Sequence, residues 1–193
     1  MKRRFSILKI SMIGVMAALT FAAHQLQINI PTVLGNTRLH LGNVLCLLCG
    51  MLLGPIPGGF AAGIGAMFFD FTNPLYIASA PFTFVFKFMM AFVCGCIVWR
   101  KKGAYLHNIP SNVVAGFCGA MTYVALYLSK NFLEDIFFLR TEMETALIDL
   151  AQKGAVSGFN GILAFVVAVP LSMAIRKGLE RAGLYSKLAP SHK

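Results

Sequence analysis

The chain has 193 residues, 58% of them apolar and 12% charged, with a mean hydropathy of +0.73 and a formal net charge of +10. Soluble domains carry roughly 25% charged residues, so an ordinary water-soluble domain is excluded and no separate aqueous domain fits beside the apolar bulk. The basic residues do not form a nucleic-acid stripe: they cluster at Lys2-Arg3-Arg4, at Arg100-Lys101-Lys102, and at Arg176, Lys177, Arg181, Lys187 and Lys193, each beside an apolar run, which is the positive-inside pattern of cytoplasmic ends.

A helix crossing the hydrocarbon core of about 30 Å needs roughly 20 apolar residues. Six such spans are predicted in a single membrane domain covering 1–193, an all-α polytopic bundle: residues 7–26, 39–53, 56–71, 79–99, 111–129 and 154–175. The first carries Gly14, Ala18 and Ala22 at a spacing of four residues, a stripe that lets another helix approach closely. A signal peptide ending near Ala22-Ala23 is the alternative reading of this start; the stripe favours a retained helix. Residues 27–40, with Pro31, Gly35, Asn36 and Arg38, read as a structured loop able to cap something. From Leu41 to Val98 the only charged side chains are Asp70 and Lys87. Two short spans in this stretch are joined by Gly54-Pro55-Ile56-Pro57-Gly58-Gly59, and a turn at Asn73-Pro74 leads into the fourth. An even number of crossings with the N-terminus inside puts every basic cluster on the same side, and places the loop 130–153, which holds most of the carboxylates, outside. Thr141 followed by Glu144 predicts a capping box opening a short outer-surface helix that leads into span six.

Charge at membrane depth is expensive and is kept for a reason. Lys87 lies about 12 Å below the outer start of span four, at 1.5 Å per residue, and Asp70 lies at the outer end of span three. Two readings stand: an Asp70–Lys87 ion pair that holds two helices together, and a Lys87 that meets an anionic or polar ligand in an outward-facing cavity. Asn43, Asn73, Thr83, Tyr123, Tyr127 and Asn160 fall at similar depth, with Phe82, Phe84 and Phe86 as apolar walls. Small-molecule sites combine such walls with a few placed polar groups. The five cysteines, Cys46, Cys49, Cys94, Cys96 and Cys118, lie in apolar segments and read as small packing residues rather than metal or redox pairs. No G-x-x-x-x-G-K-[ST], H-E-x-x-H or G-x-S-x-G motif occurs, so the chain has no P-loop for ATP and no signature of those hydrolases. It is expected to be no enzyme and to hold no cofactor or metal.

Leu41-Gly42-Asn43 through Leu52-Leu53-Gly54-Pro55-x-x-Gly58, then Gly63-x-Gly65, Asp70, Pro81-Phe82-Thr83-Phe84-x-x-Lys87 and Gly95 resemble the S component of an energy-coupling factor (ECF) vitamin transporter. The resemblance covers most of the chain. It implies a plasma-membrane subunit, here of a bacterial type, that captures a water-soluble vitamin or related micronutrient at its outer face, with riboflavin, pyridoxine or a hydroxymethylpyrimidine as the suited types. It implies a lid at residues 27–40, docking of a membrane T component on Gly14, Ala18 and Ala22, and ATP consumed by two cytoplasmic partner subunits. Substrate contacts vary within that family, so Arg38, Asn43, Asp70, Asn73, Thr83, Lys87, Tyr123, Tyr127 and Asn160 are candidates from position and polarity. A stand-alone secondary transporter coupled through Asp70 and Lys87 is the alternative, and a membrane enzyme or ligand-free assembly factor a third.

Overall fold

The computed structural model describes residues 7–74, 76–100 and 108–183. The basic residues Lys2, Arg3, Arg4, Lys101, Lys102, Lys187 and Lys193 lie outside that range. Among the described residues the order is α1 (Ile7–Gln25), β1 (Gln27–Thr32), β2 (Gly35–His40), α2 (Gly42–Leu53), α3 (Pro55–Thr72), a 3-10 turn (Ile77–Ser79), α4 (Ala80–Val98), α5 (Ile109–Leu133) closing in a π turn (Glu134–Phe138), and α6 (Met143–Arg181). Four segments are long and apolar enough to cross a membrane: α1, Ile77–Val98, Ile109–Phe138 and α6, with α2 as a shorter apolar helix. The chain is an all-α membrane protein with one added element, an antiparallel hairpin of β1 and β2.

The centre of the bundle is α2. It is apolar all round, as a fully enclosed helix must be, and residues from Gly42 to Leu52 are buried almost without interruption. Leu47, Leu48 and Met51 meet Met90, Ala91 and Cys94 of α4, with Ala115 and Ala120 of α5 and Ala164 and Ala168 of α6 in the same core. Gly50 is where α2 and α4 touch backbone to backbone: a Cβ there would sit 2.3 Å from the Ala91 carbonyl oxygen. Gly54 turns the chain from α2 into α3 with φ +89°, a conformation that penalises any Cβ, and Pro55 then opens α3 at a position where its missing N–H is not needed. Cys46, Cys49 and Cys94 are buried in this core, while Cys96 is exposed; all five cysteines are free.

The end of the bundle opposite the hairpin is fixed by Arg176. This side chain is wholly buried; it donates to the Met51 carbonyl at 2.7 Å and to the Asn112 side-chain oxygen at 3.0 Å. The Trp99 indole N–H donates to the same carbonyl at 3.1 Å. The last carbonyls of a helix have no partner within it, and α2, ending inside protein, finds them here. Arg176 is thus a packing cation as well as a member of a basic cluster.

Three expected boundaries move. Span two starts at Gly42, because Gly35–His40 is strand. The helix of span five runs past Ser129 to Leu133, which puts Lys130 and Asn131 on a helix face. The separate outer helix does not exist: α6 is one helix of 39 residues, about 58 Å long at 1.5 Å per residue, nearly twice the membrane core, so it projects beyond it. Its N-cap is Glu142, with no side-chain cap bond. The Thr141–Glu144 capping box fails because Thr141 sits one residue too early; its backbone N–H is turned back to the Asp135 carbonyl at 3.1 Å.

Candidate functional site

At the hairpin end the helices enclose a cavity of about 90 Å³. β2 contributes Thr37, Arg38 and His40, and α1 contributes His24. The walls are Phe82, Thr83, Phe86 and Lys87 of α4, Tyr123, Tyr127, Lys130 and Asn131 of α5, and Ser157 and Asn160 of α6. Helical spacing explains the set: 83, 86 and 87 share one face of α4, and 123, 127, 130 and 131 share one face of α5.

The two deep charges do not pair with each other, which removes the first of the two readings of Asp70 and Lys87. Asp70 is wholly buried and accepts from Arg38 Nη1 at 2.9 Å and from the Thr83 hydroxyl at 2.5 Å. Arg38 lies in β2 rather than in a loop, which brings it to α3, and its guanidinium also lies 3.8 Å from the centre of the Tyr76 ring. Lys87 instead donates to the Asn43 side-chain oxygen at 2.5 Å and stands 3.5 Å from the Tyr123 ring centre. The reason is register: the strand pairing of residues 27–40, expected as a structured loop, brings a cation to Asp70, and α2 brings Asn43 to Lys87.

Asn160 is engaged at both ends by the hairpin. Its oxygen accepts from the His40 N–H at 3.2 Å and its Nδ2 donates to the Arg38 carbonyl at 2.6 Å. The Tyr127 hydroxyl donates to Thr37 at 3.4 Å, and Tyr123 and Tyr127 stack with ring centres 5.9 Å apart. Farther out, the hairpin turn is held on α6, where Val33 N–H donates to Gln152 Oε1 at 3.1 Å and Leu34 N–H to Asp149 Oδ1 at 3.0 Å. Asp149 also binds Lys153 at 2.6 Å. Asn43 and Asp70 stand behind the cavity walls, as the partners of Lys87 and Arg38, and two further candidates point elsewhere. Asn73 ends α3, its N–H on the Asp70 carbonyl, and Phe84 faces Gly63 and Phe60 instead.

Sequence reasoning missed His24, His40, Tyr76, Lys130, Asn131 and Ser157. Lys130 and Asn131 were legible as the next turn of the Tyr123–Tyr127 face, had span five not been cut at 129. His24 and His40 pack against each other with ring centres 4.9 Å apart and planes tilted by 30°. His24 Nδ1 meets the Thr20 carbonyl at 2.7 Å, which leaves Nε2 as a lone pair without a partner; His40 Nδ1 and Asn43 Nδ2 are likewise buried without one. Burial, reinforced by the nearby Lys87, His24 and Arg38, holds the His40 imidazole well below its usual range, so it is neutral at physiological pH.

The stripe of α1 lies on the surface. Gly14, Ala18 and Ala22 are exposed, whereas Met16, Ala17, Thr20 and His24 are buried. A Cβ added at Gly14 would meet no atom of this chain within 4 Å. So α1 is packed into the bundle by one face and presents its small residues outward by the other.

A protein of Pyrococcus woesei described as an uncharacterized protein in the gap 3′ region is 31% identical over 111 residues, 56% of this chain and 70% of that protein. The family model of the ECF-type riboflavin transporter S component matches residues 4–177. By that match over nearly its whole length, the chain belongs to the ECF-type riboflavin transporter S component family, a class of membrane transport subunits.

Proposed function

We propose that this chain is the substrate-capture subunit of an ECF-type importer, crossing the membrane six times with both termini inside and the hairpin outside. It binds a water-soluble vitamin or related micronutrient in the cavity under the hairpin. A membrane T component docks on the Gly14, Ala18 and Ala22 face, and two cytoplasmic ATPases supply the energy that this chain has no P-loop to supply. The observation that carries the reading is the cavity at the hairpin end, with stacked tyrosines, phenylalanines and a few placed polar groups, in a chain of this family. Riboflavin, pyridoxine and hydroxymethylpyrimidine rings all match aromatic walls of this kind.

The cavity also supports a lid role for the hairpin. Its volume of about 90 Å³ is below that of the ~150 Å³ protein cavity known to take up benzene, so a ring-bearing ligand is fully enclosed only if a wall moves. The hairpin is the wall held by a few discrete bonds rather than by the helical core. The test is mass spectrometry of the molecule that co-purifies, with binding measurements against a panel of water-soluble vitamins in detergent. A panel without a single binder defeats the capture reading. Uptake in a host that has no energising module would instead favour a stand-alone transporter.

A further inference from the structure

Three cations line the cavity, Arg38, Lys87 and Lys130, and no carboxylate does. Two of the three are answered just behind the wall, Arg38 by Asp70 and Lys130 by Glu134. Lys87 is not. It is 2% exposed, its hydrogen-bond partner is the neutral amide of Asn43 and its ring partner the neutral Tyr123, and no ion pair with a carboxylate forms among the described residues. An ammonium removed from water without a counter-charge costs several kcal/mol, and nothing in the packing of α4 demands it, since an apolar side chain fills the same space.

We infer that the ligand carries an ionised acid, a carboxylate or a phosphate, that seats on Lys87 while its ring lies against the Tyr123–Tyr127 stack. This rests on the capture reading and narrows it. A neutral ring carbonyl supplies a hydrogen bond but leaves the buried charge unbalanced; an anion supplies both.

The experiment is calorimetry with the full-length protein in detergent against acidic vitamins (nicotinate, pantothenate, biotin, pyridoxine 5′-phosphate) and neutral ones (nicotinamide, pyridoxine, riboflavin). The expected result is that the tightest binder is an acid, at least tenfold tighter than its neutral counterpart where one exists. Nicotinate against nicotinamide reports on a carboxylate and pyridoxine 5′-phosphate against pyridoxine on a phosphate. Lys87→Met should weaken that binder at least tenfold and leave neutral compounds within twofold; the wild-type comparison stands by itself where the variant does not fold. A neutral compound as the tightest binder, or an acid whose affinity Lys87→Met leaves unchanged, overturns the inference and leaves vitamin capture intact. No binder at all overturns the capture reading and the inference with it.

Discussion

Arg38 on the hairpin reaches Asp70 on α3 at 2.9 Å, joining the hairpin to the helical bundle through one nearly dry ion pair, with side-chain exposures of 17% and 1%. Removing the cation leaves Asp70 buried with only the Thr83 hydroxyl. Breaking a buried pair by deleting one partner costs about 3–5 kcal/mol, whereas deleting both is often close to neutral. Arg38→Met should therefore lower the melting temperature in detergent markedly, and Arg38→Met combined with Asp70→Asn should recover most of the loss. Simple additivity of the two single changes would show that the pair is not the unit that matters.

Much of this arrangement was legible from composition and period, and the misses share a cause. The apolar helices and the small-residue stripe of α1 follow from apolar runs and from the spacing of Gly14, Ala18 and Ala22, because lipid and helical geometry leave few alternatives. The partner of Asp70 was not legible, because it depends on strand register. Gln27, Asn29, Ile28 and Ile30 do alternate with period two, the signature of a strand, but Pro31 and Gly35 in the same stretch speak for a loop. Once the hairpin pairs Asn29 with Arg38 and Thr32 with Gly35, Arg38 and His40 are carried over the bundle. No local pattern states that long-range placement.

The close approach at Gly50 separates packing glycines from surface ones. A methyl group there would lie 2.3 Å from the Ala91 carbonyl oxygen, with backbone on both sides. Gly50→Ala should force α2 and α4 apart and cost about 1–3 kcal/mol, the usual range for overpacking. Gly14→Ala, in open space, should cost nothing and gain up to about 1 kcal/mol in helix propensity. Melting of the two purified variants side by side checks this; equal effects would show that the α2–α4 contact tolerates a Cβ.

The exposed stripe predicts a separable defect. Ala18→Trp and Ala22→Trp each put a large ring on the exposed face of α1. Small residues mark close helix–helix contact in membranes, so each variant should reduce co-purification of the T component at least tenfold while binding ligand like the wild type. Complex formation that survives both substitutions would place the docking surface elsewhere.

The hairpin turn should control how long the ligand stays. Gln152→Ala removes one acceptor, that of the Val33 N–H, at an exposed position where water can replace it. A net hydrogen bond contributes about 0.5–1.5 kcal/mol, so ligand dissociation should quicken by about twofold to tenfold, with association little changed. Stopped-flow displacement measures both rates. An unchanged dissociation rate, in a variant whose hairpin amides exchange faster, would mean that the hairpin does not gate the cavity.

His40 gives the fold an acid sensitivity of known sign. Its imidazole is held well below the ordinary value by burial first, then by Lys87, His24 and Arg38. The unfolded chain, with a histidine near pKa 6.5, binds a proton that the folded state refuses. Stability should thus be level above about pH 7 and fall as the pH drops below 6.5, with this residue contributing at most about 1.4 kcal/mol per pH unit. His40→Gln removes the titration while keeping the backbone N–H that Asn160 accepts from. Melting temperatures between pH 8 and 5.5 should decline less steeply in the variant than in the wild type. Parallel curves would mean that His40 protonates as easily folded as unfolded, and that the hairpin does not seal it from water.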